Sequence, residues 1–126
     1  MEKVHFDVPL NSNSREVIWS AVGTVEGMSA WLADSIVEEE DGILTFTWGK
    51  HESRRAELVS RRLKHYVRYH WLDDNPKTYF ELRINQSELT HNYSLEITEV
   101  SSEDDAEGLQ QLWEAYTEKL HRTTGI

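Results

Sequence analysis

Gly108-Leu109-Gln110-Gln111-Leu112-Trp113-Glu114-Ala115-Tyr116-Thr117-Glu118-Lys119-Leu120 is the stretch that decides the fold. Leu109, Leu112, Trp113, Tyr116 and Leu120 recur at spacings of three and four, which places them on one stripe of a helix. Glu103, Asp104, Asp105 and Glu107 precede the stripe, and Lys119, His121 and Arg122 close it. Both ends therefore suit the helix macrodipole. A stripe this apolar has to be buried, so the rest of the chain must supply a surface for it.

Working back from the helix, the period of the apolar residues changes to two between Ser35 and Val100. Six alternating runs, at 34–39, 43–48, 52–61, 65–72, 78–84 and 91–100, are the candidates for the five strands expected in succession. Val67, Tyr69 and Trp71 share one face opposite Arg68 and His70. Phe80, Leu82 and Ile84 point inward against Tyr79, Glu81 and Arg83, with Glu81 and Arg83 read as a surface ion pair, and Tyr93, Leu95 and Ile97 point inward from the last run. Asp41-Gly42 is a hairpin signal, and Gly49-Lys50 and Asp73-Asp74-Asn75-Pro76 read as further turns. Such short connections favour an antiparallel meander over a parallel sheet, which would need helical crossovers. The run at 52–61 is the weakest, with Ala56 and Leu58 among many charges; its Arg54-Arg55 and Arg61-Arg62 pairs read as a charged edge that discourages strand pairing between molecules, or as a docking patch.

At the amino-terminal end, Val4, Phe6 and Val8 alternate with Lys3, His5 and Asp7 as a half-buried strand. Asn13 followed by Glu16 predicts a helix start, and Val17, Ile18, Ala21 and Val22 make the apolar face of a short helix over 14–22. A second short helix over 24–33 carries Val25, Met28, Trp31 and Leu32. The order strand, helix pair, five strands and long helix predicts an α+β fold. Its sheet is a curved six-stranded antiparallel one, with the long helix across the concave face.

That order resembles the START-like superfamily, also described as SRPBCC, helix-grip or Bet v 1-like, over nearly the whole chain. Four segments carry the resemblance: Ser14 to Val22 leading to Met28-Ser29-Ala30-Trp31-Leu32-Ala33-Asp34; Gly42 to Gly49; Ala56-Glu57-Leu58 through Tyr66 to Trp71; and Gly108-Leu109 through Tyr116 and Leu120. The nearest similarity is to activator of Hsp90 ATPase carboxy-terminal-like proteins and to a small START-like family of Bacteroidetes bacteria. The resemblance implies one START-like domain over residues 1–126 and a cavity between sheet and terminal helix. It implies no single activity, since the superfamily includes lipid carriers, cyclases, hormone receptors and co-chaperone domains.

Composition bounds the function from another side. The chain has 126 residues, and its 13 Lys and Arg against 23 Asp and Glu give a net charge of −10. That balance disfavours nucleic acid and anionic membrane surfaces as partners. No apolar run approaches the roughly 18–20 residues of a membrane span. There is no cysteine, hence no disulfide, thiolate nucleophile or Cys-ligated zinc. Met1 to Phe6 lacks the apolar core of a signal peptide, so a cytoplasmic location is expected. The six histidines, His5, His51, His65, His70, His91 and His121, show no metal-ligand spacing. No G-x-S-x-G, P-loop or G-x-G-x-x-G occurs, so no catalytic residue, metal or cofactor is assigned.

The candidate ligand-binding residues are the bulky inward ones: Phe46, Trp48, Tyr69, Trp71, Phe80, Leu82, Tyr93 and Leu95 from the sheet, with Trp31, Leu109, Trp113 and Tyr116 from the helices. Five Trp and five Tyr can fill an interior or line a pocket for a flat or apolar ligand. Buried indoles also need acceptors for their N–H groups. The expected function is non-catalytic binding of a small apolar, amphipathic or lipid-like molecule. The alternatives are an Hsp90-activator-like module that binds a protein partner and a cyclase-like enzyme, which would require an inward ionisable group with a shifted pKa.

Overall fold

The computed structural model describes residues 1–126. Its elements run β1 (Glu2–Pro9), α1 (Arg15–Val22), α2 (Val25–Met28), β2 (Ser35–Glu40), β3 (Ile43–Trp48), β4 (Glu52–Arg62), β5 (Tyr66–Trp71), β6 (Tyr79–Gln86), β7 (Tyr93–Ser101) and α3 (Ala106–Thr124). All strands join one antiparallel sheet in the order β1-β7-β6-β5-β4-β3-β2. The sheet has seven strands, not the expected six. Each alternating run between Ser35 and Val100 is closed off by its own turn and becomes a strand of its own. Asp41-Gly42 does this for β2 and β3, where Gly42 takes φ 81° in the left-handed region that glycine tolerates without strain.

The charged run at 52–61 is not an edge. It is β4, paired with β3 on one side and β5 on the other, and the true edges are β1 and β2. A register shift between Leu58 and Ser60 inserts Val59 as a bulge, which bends the strand and lets a long strand stay paired with a shorter neighbour.

The helix pair is shorter than its sequence pattern. Ser14, rather than Asn13, caps α1 by accepting from the Val17 amide at 3.2 Å. The second helix stops at Met28, and residues 29–33 continue as turns that bury Trp31, Leu32 and Ala33. Gly27 is where the two helices touch: a Cβ there would lie 1.8 Å from the Ser20 carbonyl oxygen. Only glycine permits that approach.

The core lies between the sheet's inner face and the helices. Val67, Phe80, Leu82, Leu95 and Ile97 meet Ile18, Val22, Met28 and Trp31 from the helix pair, and Trp113 and Leu120 from α3. The stripe on α3 is therefore docked, with Leu109, Trp113, Thr117 and Leu120 buried. Leu112 departs from expectation at 41 % exposed, and Val17 on α1 is exposed likewise. On the outer face Glu81 is clamped between Arg68 at 3.0 Å and Arg83 at 3.3 Å, an ion-pair triad that leaves the carboxylate itself nearly buried. No helix is long and apolar enough to cross a membrane.

Candidate functional site

Alternation along β3, β5 and β6 places Phe46, Trp71 and Phe80 on the inner face, where they form one aromatic surface. Phe46 and Trp71 have ring centroids 5.2 Å apart, and Trp71 and Phe80 5.1 Å. Trp113 reaches down from α3 to within 6.1 Å of Phe80, and Tyr116, one turn on, meets Trp113 edge-on at 5.4 Å. Trp48 stacks on Phe46 at 5.9 Å and is fixed by donating its indole N–H to the Leu32 carbonyl at 2.9 Å.

These six rings do not close against one another. They surround a cavity of about 420 Å³ beneath the first half of α3, within the usual range of small-molecule sites. Leu32, Leu112 and Gly108 complete its apolar lining, while Glu52, Arg54, Glu99 and Asp104 supply the polar groups.

Glu99 is the distinctive member. The inward row of β7 runs Tyr93, Leu95, Ile97 and then Glu99, so the same alternation that buries the aliphatic residues buries a carboxylate. Only 3 % of it is exposed. Trp71 donates its indole N–H to one carboxylate oxygen at 3.0 Å, and Trp113 donates to the other at 2.7 Å. Both indoles thus find the acceptor that buried Trp requires, one from the sheet and one from the helix. Burial pushes the Glu99 pKa above its ordinary value; the Trp113 and Trp71 hydrogen bonds and the charge of Arg54 oppose that shift without cancelling it, and Asp104 adds to it.

Arg54 is the one cation in the lining, and it is already engaged. Its guanidinium lies 3.9 Å above the Trp71 ring and makes two 3.1 Å bonds to Asp73. The phenol of Tyr116 is held protonated, first by burial and then by the carboxylates of Glu99 and Glu52. No group of three His, Asp or Glu side chains is disposed to hold a metal ion.

Of the residues nominated from sequence, Phe46, Trp48, Trp71, Phe80, Trp113 and Tyr116 come together around this cavity. The others lie elsewhere. Trp31 is fully buried, its N–H spent on the Ala21 carbonyl at 2.9 Å. Leu82, Leu95 and Leu109 are completely enclosed by the core. Tyr69 stacks on Phe80 at 5.6 Å without joining the lining, and burial raises its phenol to about 12. Tyr93 is half-buried beneath Arg15, 5.3 Å from the ring. Leu32, Glu52, Arg54, Glu99, Asp104, Gly108 and Leu112 were not nominated. For Glu99, Arg54 and Glu52 the signal was the period of two carried one or two steps beyond the apolar residues.

The family model described as the START-like superfamily domain matches residues 1–126. The chain belongs to the START-like superfamily. A Bacteroides fragilis protein solved by NMR in solution is 43% identical, with a TM-score of 0.63, covering 97% of this chain and 90% of that one. XoxI from Bacillus cereus superposes with a TM-score of 0.77 at 14% identity, over 97% of this chain and 94% of its own. The Aha1 dimer from Colwellia psychrerythraea gives a TM-score of 0.72 at 12% identity, over 97% and 92%. These last two share the fold. No curated protein matches the sequence.

Proposed function

We propose that this START-like chain is a non-catalytic binding protein that takes a small, flat, amphipathic molecule into the cavity under α3. One observation carries the reading: an aromatic-walled space of about 420 Å³ ends at a buried carboxylate fixed by two indoles. The rings offer apolar contact area, and the few convergent polar groups orient the guest. The likeness to the Aha1 dimer is at the level of fold, so it lends a chaperone-binding role no support of its own.

Glu99 also favours a second reading, a cyclase-like enzyme, because a carboxyl with a raised pKa in an apolar pocket suits proton transfer. Binding is preferred since both of its oxygens already accept hydrogen bonds from groups that cannot take its proton.

The test is a thermal-shift and native mass spectrometry screen against aromatic and lipid-like amphiphiles, with Leu112→Trp as a variant that plugs the cavity mouth. Binders should raise the melting temperature of the native chain and fail to raise that of the plugged one. A chain that shifts with no compound and carries no bound species after gentle purification overturns the proposal. Chemical conversion of a bound compound, lost in Glu99→Gln, would establish the enzyme reading instead.

A further inference from the structure

We infer that the cavity under α3 selects amphipathic amines, an apolar or aromatic body carrying a protonated nitrogen, over neutral or anionic molecules of the same shape. The inference rests on the reading of that cavity as a ligand site and adds the charge of the ligand. Among the lining residues Glu52, Glu99 and Asp104 are carboxylates and Arg54 is the single cation. Arg54 is not free to meet an anion, because its guanidinium is paired through two bonds with Asp73 and lies 3.9 Å over the Trp71 ring. What remains for a guest is an excess of negative charge at the polar end.

The chemistry of Glu99 points the same way. A carboxylate has about four lone-pair sites, and the indoles of Trp71 and Trp113 occupy one on each oxygen. A bound cation favours the ionised form of Glu99, whose remaining sites can only accept, so the complementary group on a ligand is a donor. Around them, the faces of Trp48, Phe46 and Tyr116 suit a cation as well as an apolar body. One feature of the fold would favour an anion, the amino terminus of α3, since Gly108 belongs to the lining. It is already capped by a carboxylate: the Asp105 side chain accepts from the Gly108 amide at 2.7 Å. The charge of −10 on the whole chain adds a field that draws cations in.

Three matched probes test this: a naphthylmethylamine, the corresponding naphthylmethanol and the naphthoate, titrated by calorimetry near neutral pH and low salt. The amine should bind about tenfold or more tighter than the alcohol, and the naphthoate weakest of all. Glu99→Gln should abolish the preference for the amine. Because that variant alters a buried network, the double variant Glu52→Gln/Asp104→Asn, at the mouth, provides a second arm; its amine-to-alcohol ratio should fall several-fold. Equal binding of amine and alcohol, or tightest binding of the naphthoate, overturns the selectivity while the cavity remains a ligand site. If none of the three binds, the ligand-site reading falls and takes the selectivity with it.

Discussion

Arg54 stands directly across the β3–β4 ladder from Phe46, so a guanidinium and a phenyl ring share the inner face of the sheet. A cation at that depth persists because two neighbours receive it: the face of Trp71 at 3.9 Å and the carboxylate of Asp73. The two contributions differ in size. Asp73 is half exposed, so its ion pair with Arg54 is screened by water and contributes little. Contact with the indole face is the better shielded of the two.

Arg54→Met keeps the apolar stem and removes the charge. It is expected to destabilise the fold by about 0.5–2 kcal/mol, most of it from the lost cation–π contact. Asp73→Asn should cost less than about 1 kcal/mol. Urea denaturation of both single variants and the double variant measures the coupling. A coupling equal to the whole effect of Arg54→Met would show that the ion pair, not the ring, holds the guanidinium.

Glu99 and its two indoles form a closed set, and the cost of changing it depends on how many donors are left without an acceptor. Glu99→Gln preserves size but presents an NH2 to one of the two indole N–H groups, so one buried donor is orphaned at about 1–3 kcal/mol. Glu99→Leu orphans both and should be less stable still. The triple variant Glu99→Leu/Trp71→Phe/Trp113→Phe leaves no unpaired donor and should recover part of the loss of Glu99→Leu, less the penalty of its smaller rings. Melting curves that rank the three variants in another order would contradict this account.

Gly27 makes a sharper, purely steric prediction. A methyl group there would collide with the backbone of Ser20 and Ala21, which has no rotamer to adjust. Gly27→Ala should therefore destabilise by about 1–3 kcal/mol or more, despite alanine's higher helix propensity, because α2 has to separate from α1. Thermal melts read this directly, and an unchanged or raised melting temperature would refute the close contact.

Much of the architecture was legible because two periods are hard to mistake. The helical spacing of Leu109, Trp113 and Leu120, and the step of two in Phe80, Leu82 and Ile84, each place a row on a face, and Trp113 and Leu120 join the strand row in one core. What alternation does not reveal is where α3 lifts away from the sheet. Trp31 and Trp113 both look like buried helical indoles. One is sealed in the core by the Ala21 carbonyl and the other hangs over a cavity, and the difference lies in tertiary packing. The polar lining was missed for a different reason. A charged residue in a strand reads as outward, and β4 reads as an edge, so Arg54 passes for part of a charged edge and Glu52 is not singled out, although Ala56 fixes their parity on the inner face. Glu99 was hidden by the same assumption, since only its two indole partners make a buried carboxylate tolerable there.

The burial of Glu99 has a sign that pH can read. Its pKa in the fold lies above the ordinary value of 4.5, because burial outweighs the indole bonds and Arg54. The folded chain therefore holds this proton more tightly than the unfolded chain does. Between the two pKa values the native state binds more protons, so stability falls as pH rises. The contribution is fully present below pH 4.5 and is lost as pH climbs through the raised value. Other carboxylates titrate in the same region, so the quantity to measure is the difference in unfolding free energy between the native chain and Glu99→Gln. That difference should move against the native chain with increasing pH over this window and level off above it. Trp113→Phe removes a hydrogen bond to the ionised form and should carry the window to higher pH, whereas a difference flat across the range would mean that Glu99 titrates as it does in the unfolded chain.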